Sequence, residues 1–579
     1  MILNALVKRY ADAGGAPSGW QVREVAYALV LAEDGELLEI RPLGNPDDKK
    51  VRKMKLMLPA ELVRAGINAY MVAYFLCDDG NFMLGYDARK FESASKLHKR
   101  LLADIDTPAA KAIVAYFGRS ASPLAAPFAE ATKDALTAKY VFEVNGRRVD
   151  YDDGGEAIRE AWQRESDGGA QDAAGDMLCL VTGEQDRVVR LHDKIKLSGV
   201  TMSKQPLISM NDQKSFRSYG AETGDPPAQI GSRASFAYAT ALNDLLDSPD
   251  HHKSLGKDTL VYWAEGGGEA EAAVFTMEIN PQPDQDAELA SVFAQLTAGT
   301  LPNLEGILWQ RPFYVLCLSP NAARISVRFF FSDSFGEIAR RVAEHYANLA
   351  IYSARNEKYQ HIPPWMIIAE TTVARQGEMK KASDAPPVLG GQLLRAIVTG
   401  ARYPASIYNA ILARIRAGEE VNRTKVAIIK ATLLRNYPND EGREVLCVAL
   451  NEESRNKAYV LGRLFAVLEK LQKEATDSPL NSTICDQFFS TASASPGSVF
   501  PFLMSRSVHH EHKLTETRKR YYGKLKQQLL GTQEVDGDAF PNAWTLQDQG
   551  RFVLGYYHQI QSFYTTKSDK TNEEDDDDV

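Results

Sequence analysis

Residues 207–246, LISMNDQKSFRSYGAETGDPPAQIGSRASFAYATALNDLL, set an apolar strand-like piece and an amphipathic helix on either side of a long polar loop. Leu207-Ile208-Ser209-Met210 reads as the strand. Asn211, Asp212, Gln213, Lys214, Ser215, Arg217, Ser218 and Tyr219 make the loop polar. Gly220, Gly224 and Pro226-Pro227 then interrupt regular structure. Ser232 is placed to cap a helix whose apolar positions Phe236, Ala239, Leu242 and Leu246 recur at helical spacing. A loop this rich in amides and hydroxyls suits the reading of polar edges such as bases or phosphates. A surface loop held by its own turns is the other reading.

Upstream of this stretch the chain alternates short strand and helix signals. Residues 1–20 predict a helix with Leu3, Leu6, Val7 and Tyr10 on one face. Residues 23–43 predict a hairpin turning at Glu33-Asp34-Gly35. Lys49, Lys50, Arg52, Lys53 and Lys55 put five cations in seven residues, either a solvated loop or a phosphate-contacting patch. Gly80 and Gly85 have a P-loop-like setting, but Tyr86 stands where that motif needs Lys, which excludes it. Downstream, the strand Asp258–Glu265 runs into Gly266, Gly267 and Gly268. Such a triplet allows close backbone approach to a ligand and is also a common turn. Residues 312–331 predict a hairpin across Ser319-Pro320-Asn321. In its second strand Ile325, Val327, Phe329 and Phe331 share one face, and Arg324, Ser326 and Arg328 the other. The two arginines suit RNA backbone binding or, equally simply, keep a strand face soluble.

From about Gln392 onward every segment carries a 3.6-residue apolar period. The expected fold class is therefore α+β, with a mixed α/β region with antiparallel hairpins over 1–385, a helical bundle over 386–564 and an acidic tail over 565–579. The formal net charge of −9 depends on that tail: removing its two lysines and seven acids leaves −4. The cations that remain are clustered, eight against two Glu in residues 390–435 and seven against two in 503–530. That distribution predicts a positive stripe on the helices, as a nucleic-acid groove needs. Its candidates are Arg414, Arg416, Arg423, Lys425, Lys430, Arg518, Lys519, Arg520 and Lys524.

Catalytic signatures are missing from the sequence: no Walker motif, no HExxH, no G-x-S-x-G and no Cys-x-x-Cys pair. His509-His510-Glu511-His512 is the best metal candidate, but consecutive helical residues splay by about 100°, so at most two share a face. Five scattered cysteines, an N-terminus without signal-peptide architecture and no run of 18 apolar residues predict a reduced, cytoplasmic protein without a membrane span. No cofactor and no metal are expected.

Four blocks resemble one family, the large subunit of the type I-C CRISPR Cascade, an RNA-guided DNA surveillance complex. They are the loop and helix of 207–246, CLVTGEQDRVVRLHDKIKLSGV at 179–200, LSPNAARISVRFF at 318–330, and AYVLGRLFAVLEKLQ with LNSTICDQFFSTASASPGSVFPFL within 458–503. The resemblance implies a non-catalytic subunit that binds double-stranded target DNA, reads the protospacer-adjacent motif and promotes duplex opening and R-loop formation. Its implied partners are the guide RNA, the Cascade backbone subunits, a helicase-nuclease and a small subunit resembling the helical bundle here. In type I-C systems that small subunit is an internal translation product of the large-subunit message. Asn211, Gln213, Lys214, Ser215 and Tyr219 become the candidate motif readers, with Gly266–Gly268 as a backbone wedge next in line. A metal-dependent nuclease whose site is assembled from distant acids is the alternative.

Overall fold

The computed structural model describes residues 1–15, 19–44, 53–61, 64, 71–119, 125–132, 134–149, 155–168, 176–200, 205–209, 228–322, 324–374, 378–476, 481–531 and 540–565. The fold is α+β. The chain divides into two compact units, Met1–Asp247 with Ala322–Ile325, and Ser248–Asn321 with Ser326–Val579.

Unit one opens on helix α1 (Ile2–Asp12), as the apolar spacing of Leu3, Leu6 and Val7 predicts. Strands β1 (Trp20–Val25) and β4 (Met54–Pro59) pair antiparallel with Glu24 opposite Lys55. The expected hairpin forms between β2 (Tyr27–Leu31) and β3 (Leu37–Pro42), and its turn uses Gly35 at a φ of +82°. β2 also runs parallel to β6 (Lys139–Val144), which pairs antiparallel with β5 (Cys77–Asp79). Helices α2 (Ala88–Leu102) and α3 (Pro108–Tyr116) join the same core, built on Leu29, Phe75, Ile113, Phe142 and Trp162.

A second assembly in unit one joins β7 (Asp176–Leu178) and β8 (Gln185–Arg187) to helix α4 (Ser232–Asp247). Asp186, not the expected Ser232, accepts from the N–H at the start of this helix. The Asp186 carboxylate accepts from Arg233 N–H at 3.0 Å and from the Ser232 hydroxyl at 3.1 Å. The predicted strand at 207–210 is also displaced: the paired residues are Gln205–Pro206, and Leu207-Ile208 bends away.

Unit two contains a four-stranded sheet in the order β9 (His252–Leu255), β10 (Asp258–Ala264), β11 (Pro312–Asn321), β12 (Arg324–Ser334). Every residue of β10 is buried, the mark of a strand covered on both sides. Helices α5 (Glu269–Ile279), α6 (Asp286–Thr297) and α7 (Phe335–Leu349) pack with it. α7 buries Phe335, Ile338, Ala339, Val342, Tyr346 and Leu349, one stripe at helical spacing.

The expected boundary at 385/386 falls inside this unit. Helix α8 (Leu389–Thr399) packs on β10, and buried Asp258 of β10 accepts from Gly391 N–H at 2.7 Å. A single apolar core runs from Leu255 to Tyr557. It includes α9 (Ala405–Arg416), α10 (Arg423–Asn436), α11 (Lys457–Glu474), α12 (Ile484–Ala494), α13 (Phe500–Glu511), α14 (Glu516–Gly531) and α15 (Leu546–Ser562). α11 and α15 cross closely through two glycines. A Cβ on Gly462 would lie 2.1 Å from the Phe552 carbonyl oxygen, and one on Gly555 the same distance from that of Tyr459. No other residue fits either position without parting the helices.

Candidate nucleic-acid interface

The loop Asn211, Gln213, Lys214, Ser215 and Tyr219 lies outside the described residues, as do Lys49, Lys50 and Arg52. The segments on either side of the loop in the chain are joined by hydrogen bonds. Cys179 Sγ accepts from Gly231 N–H at 3.3 Å, His192 Nδ1 sits 2.8 Å from the Tyr238 hydroxyl, and the Ser235 hydroxyl donates to Asp193 at 2.8 Å. Two blocks singled out in the sequence, 179–200 and the helix after the loop, therefore hold each other. Burial drives His192 down to about 4, so its imidazole is neutral and suited to this packed setting.

Gly266 and Gly267 adopt φ values of +70° and +81°, a turn that favours glycine. Gly268 is required for a different reason. A Cβ there would lie 2.4 Å from Glu271 Oε2 and 2.5 Å from Arg311 Nη1, which form an ion pair at 3.1 Å. The turn and the Glu271–Arg311 pair thus favour glycine at all three positions.

The nominated cations separate sharply by exposure. Lys53 is exposed and 3.9 Å from Glu24, and Lys55 is exposed beside the same acid across β4. Arg324 is exposed. Arg328 instead donates to the Ser319 hydroxyl at 3.0 Å and pairs with Asp258 at 3.4 Å, so it ties the sheet to the residue that also holds α8. Arg414 is half-buried and Arg416 exposed.

Three candidates on α10 turn inward and leave the interface. Arg423 donates to the Tyr359 and Gln360 carbonyls, both at 2.6 Å. Lys425 is 2% exposed, donates to the Glu420 carbonyl and pairs with Glu370 and Glu419. Lys430 is also 2% exposed, and burial pushes its amine down to about 8. The reason is the all-round apolar sequence VAIIKATLL, which makes α10 a central helix with no solvent face.

On α14 the picture reverses. Arg518, Arg520 and Lys524 are exposed and Lys519 is half-buried, with only long contacts of 3.8 Å from Arg518 to Glu474 and from Lys519 to Glu516. Lys526, two residues after Lys524 and so on the opposite face, is buried instead, bonded to the Ser507 hydroxyl and to Glu511. The neighbouring α13 adds groups that a search for charge alone passes over. Phe502 is 45% exposed with the Arg506 guanidinium 5.2 Å over its ring, and Tyr521 on α14 is 48% exposed. The sequence signal is an aromatic residue four before an arginine on one helix. Burial, then the neighbouring Lys513, His509 and Arg506, hold His510 below its ordinary value. Exposed cations beside exposed rings bind a polyanion with stackable bases.

Among the described residues no group of three His, Cys, Asp or Glu is arranged to hold a metal ion. No described helix is long and apolar enough to cross a membrane. The sequence matches no curated protein. Residues 3–564 match the family model described as CRISPR-associated protein (Cas_Csd1). With that match over nearly its whole length, the chain belongs to the Cas_Csd1 family, a family of CRISPR Cascade large subunits.

Proposed function

We propose that this chain is the large subunit of a type I-C Cascade, which binds target duplex DNA, reads the protospacer-adjacent motif and promotes strand opening. The observation that carries the reading is the family match across residues 3–564. The exposed cations and rings of α13 and α14 support it, because opening a duplex needs contacts to the displaced strand that tip a near-balanced exchange of pairs. The motif reader is the loop Asn211–Tyr219. The partners are the guide RNA, the backbone subunits, the small subunit and a helicase-nuclease recruited after opening. The chain itself cuts nothing.

The test is a complex reconstituted with guide RNA and target duplex, probed with permanganate for unstacked thymines in the presence of magnesium. A duplex with the correct motif is expected to show an open bubble and intact strands, and one with a mutated motif no bubble. Equal opening on both duplexes, or cleavage by the isolated chain, would overturn the proposal.

A further inference from the structure

Two adjoining concavities lie on unit two, away from α13 and α14 in sequence. One, of about 430 Å³, is lined by Gln392 and Arg395 of α8, by Arg402 and by the start of α9. The other, of about 530 Å³, is lined by Arg402, Tyr437, Asn439 and the segment Thr545–Arg551. Arg402 lines both, so the two concavities meet at this side chain. Each volume is in the range of ligand-binding clefts, about 300–1,000 Å³.

The charges in the groove are not balanced internally. Arg395 and Arg402 are exposed, and among the described residues neither side chain has a hydrogen-bond or ion-pair partner. The two carboxylates that line it, Asp440 and Asp548, are both engaged by the buried Arg551 guanidinium. Three guanidinia, of Arg395, Arg402 and Arg551, thus stand against two carboxylates, and the Arg395 and Arg402 donors remain for an anion from outside. A third group suits the bases of such an anion: the Tyr437 ring is 38% exposed on the same wall. Asn439 and Gln547 add amides.

The wall is rigid, which separates it from a chance cluster of surface arginines. Asn436 accepts from Tyr403 N–H at 2.8 Å and donates to the Tyr403 carbonyl at 2.9 Å. That reciprocal pair joins the chain just after Arg402 to the residue just before Tyr437, and both side chains line the larger concavity. Arg435 covers the Tyr403 ring at 4.3 Å and donates to the Ala396 carbonyl at 3.0 Å, which fixes the end of α10 to α8. The Tyr408 hydroxyl donates to the Leu546 carbonyl at 2.8 Å and fixes α9 to the start of α15. A preformed groove loses little freedom on binding.

We propose that the groove from Arg395 through Arg402 to Tyr437 binds single-stranded nucleic acid, with the two arginines on successive phosphates and a base stacked on Tyr437. Single strands fit because their bases are unstacked and available to an aromatic face, whereas a duplex presents only its backbone. This rests on the reading of the chain as a nucleic-acid-binding subunit, and it names a second contact surface for it. A strand of opened target and the guide RNA share the chemistry, and the experiment separates them.

The test uses the full chain and end-labelled 12-nucleotide oligothymidine and oligouridine, titrated at several salt concentrations. Arg395→Ala/Arg402→Ala is expected to weaken binding about tenfold and to reduce the slope of log affinity against log salt by about 1.4, at about 0.7 per phosphate contact. Arg402→Lys, which keeps the charge, is expected to retain the slope. Tyr437→Ala is expected to cost about fivefold or more. 5-Iodouracil oligomers are expected to crosslink to the peptide containing Tyr437. The polymer bound more tightly identifies the source, DNA for an opened strand and RNA for the guide. Unchanged affinity and slope in the double variant, while Arg518→Ala/Arg520→Ala/Lys524→Ala loses binding, would overturn the groove and leave the broader reading standing. Absence of binding by the wild-type chain to either polymer would overturn both.

Discussion

The Lys425 ammonium lies 3.1 Å from Glu419 and 3.4 Å from Glu370, and the Lys425 side chain is 3% exposed. Lys380 pairs with the same two acids, which makes a closed network of two cations and two anions. Removing Lys425 leaves Glu370 and Glu419, which are largely buried, to share the single cation of Lys380. Lys425→Ala is expected to destabilise the chain by about 3–5 kcal/mol. Urea denaturation measures this, and a loss below about 1 kcal/mol would count against the network. DNA binding by the folded fraction keeps its wild-type salt slope.

The exposed cations of α14 should behave in the opposite way. Arg518→Ala/Arg520→Ala/Lys524→Ala is expected to leave the unfolding midpoint nearly unchanged. It should reduce the salt slope of duplex binding by about 2 to 3, at about 0.9 per phosphate contact. Preference for the correct motif should persist, because phosphate contacts position the protein and do not read sequence. An unchanged slope removes α14 from the interface.

Lys430 gives a prediction in pH. Its amine is held near 8 in the folded chain against an ordinary 10.5, mainly by burial. Below pH 8 the lysine is charged in both states, and the full cost of burying that charge weighs on the fold. Between 8 and 10.5 the unfolded chain binds the extra proton, so stability rises with pH through this window. Cys447, half-buried nearby, and the neutral His558 do not supply a compensating carboxylate. Lys430→Met is expected to be more stable than the wild type by up to about 3 kcal/mol at pH 7, with the gap closing toward pH 10. Paired urea melts at pH 7, 8, 9 and 10 check this. A gap that does not vary with pH would refute it.

The contrast between α10 and α14 shows what was legible in the residues and what was not. Apolar period placed the helices: the predicted patterns around Ala405, Arg423, Lys457 and Leu546 are all helical. Period does not reveal how many neighbours surround a helix, and Lys425 and Lys430 were nominated as surface cations on that ground. The same limit explains the boundary expected at 385. Composition changes there, but Leu260 and Phe313 of the sheet share one core with Leu393 and Ile397 of α8. The hairpin expected over 312–331 was legible because its alternation is local, but the turn expected at Ser319-Pro320-Asn321 is wrong, because β11 runs on to Asn321. The Arg402–Tyr437 groove was not, because it is made by hydrogen bonds between residues 33 apart in the chain.

Motif recognition by the loop Asn211–Tyr219 has its own signature. Gln213→Ala/Lys214→Ala is expected to lower affinity for the correct motif by about 1–3 kcal/mol per lost base contact. Affinity for a scrambled motif should fall much less. The measurement is a competition titration with the two duplexes on the reconstituted complex. A double variant that still discriminates as the wild type does would rule this loop out and move attention to Gly266–Gly268.

The last prediction concerns the C-terminal helices as a separate polypeptide. The segment from Asn456 onward holds α11 to α15, and their contacts include Phe465 against Phe489, Phe500, Phe552 and Tyr556. That is the aromatic centre of a small bundle. No Met lies between Met379 and Met504, so an internal start near 451–460 needs a non-AUG codon, with Val460 the natural position. A chain starting there keeps Phe465 and the Gly462 half of the close crossing of α11 with α15. It loses the Asn456 cap and Tyr459, whose hydroxyl sits 2.8 Å from His558 Nδ1. A start at Met504 would instead remove α11 altogether and expose the faces of α15 that bury Phe552, Val553 and Tyr556. The complex purified from the native coding sequence is therefore expected to contain a second polypeptide of 120 residues, 460–579, in more than one copy. Intact-mass spectrometry reads its N-terminus directly. Synonymous recoding of the Val460 codon and its upstream leader should abolish it while the full-length chain persists. Finding only full-length chain with the native codons in place would refute the internal start.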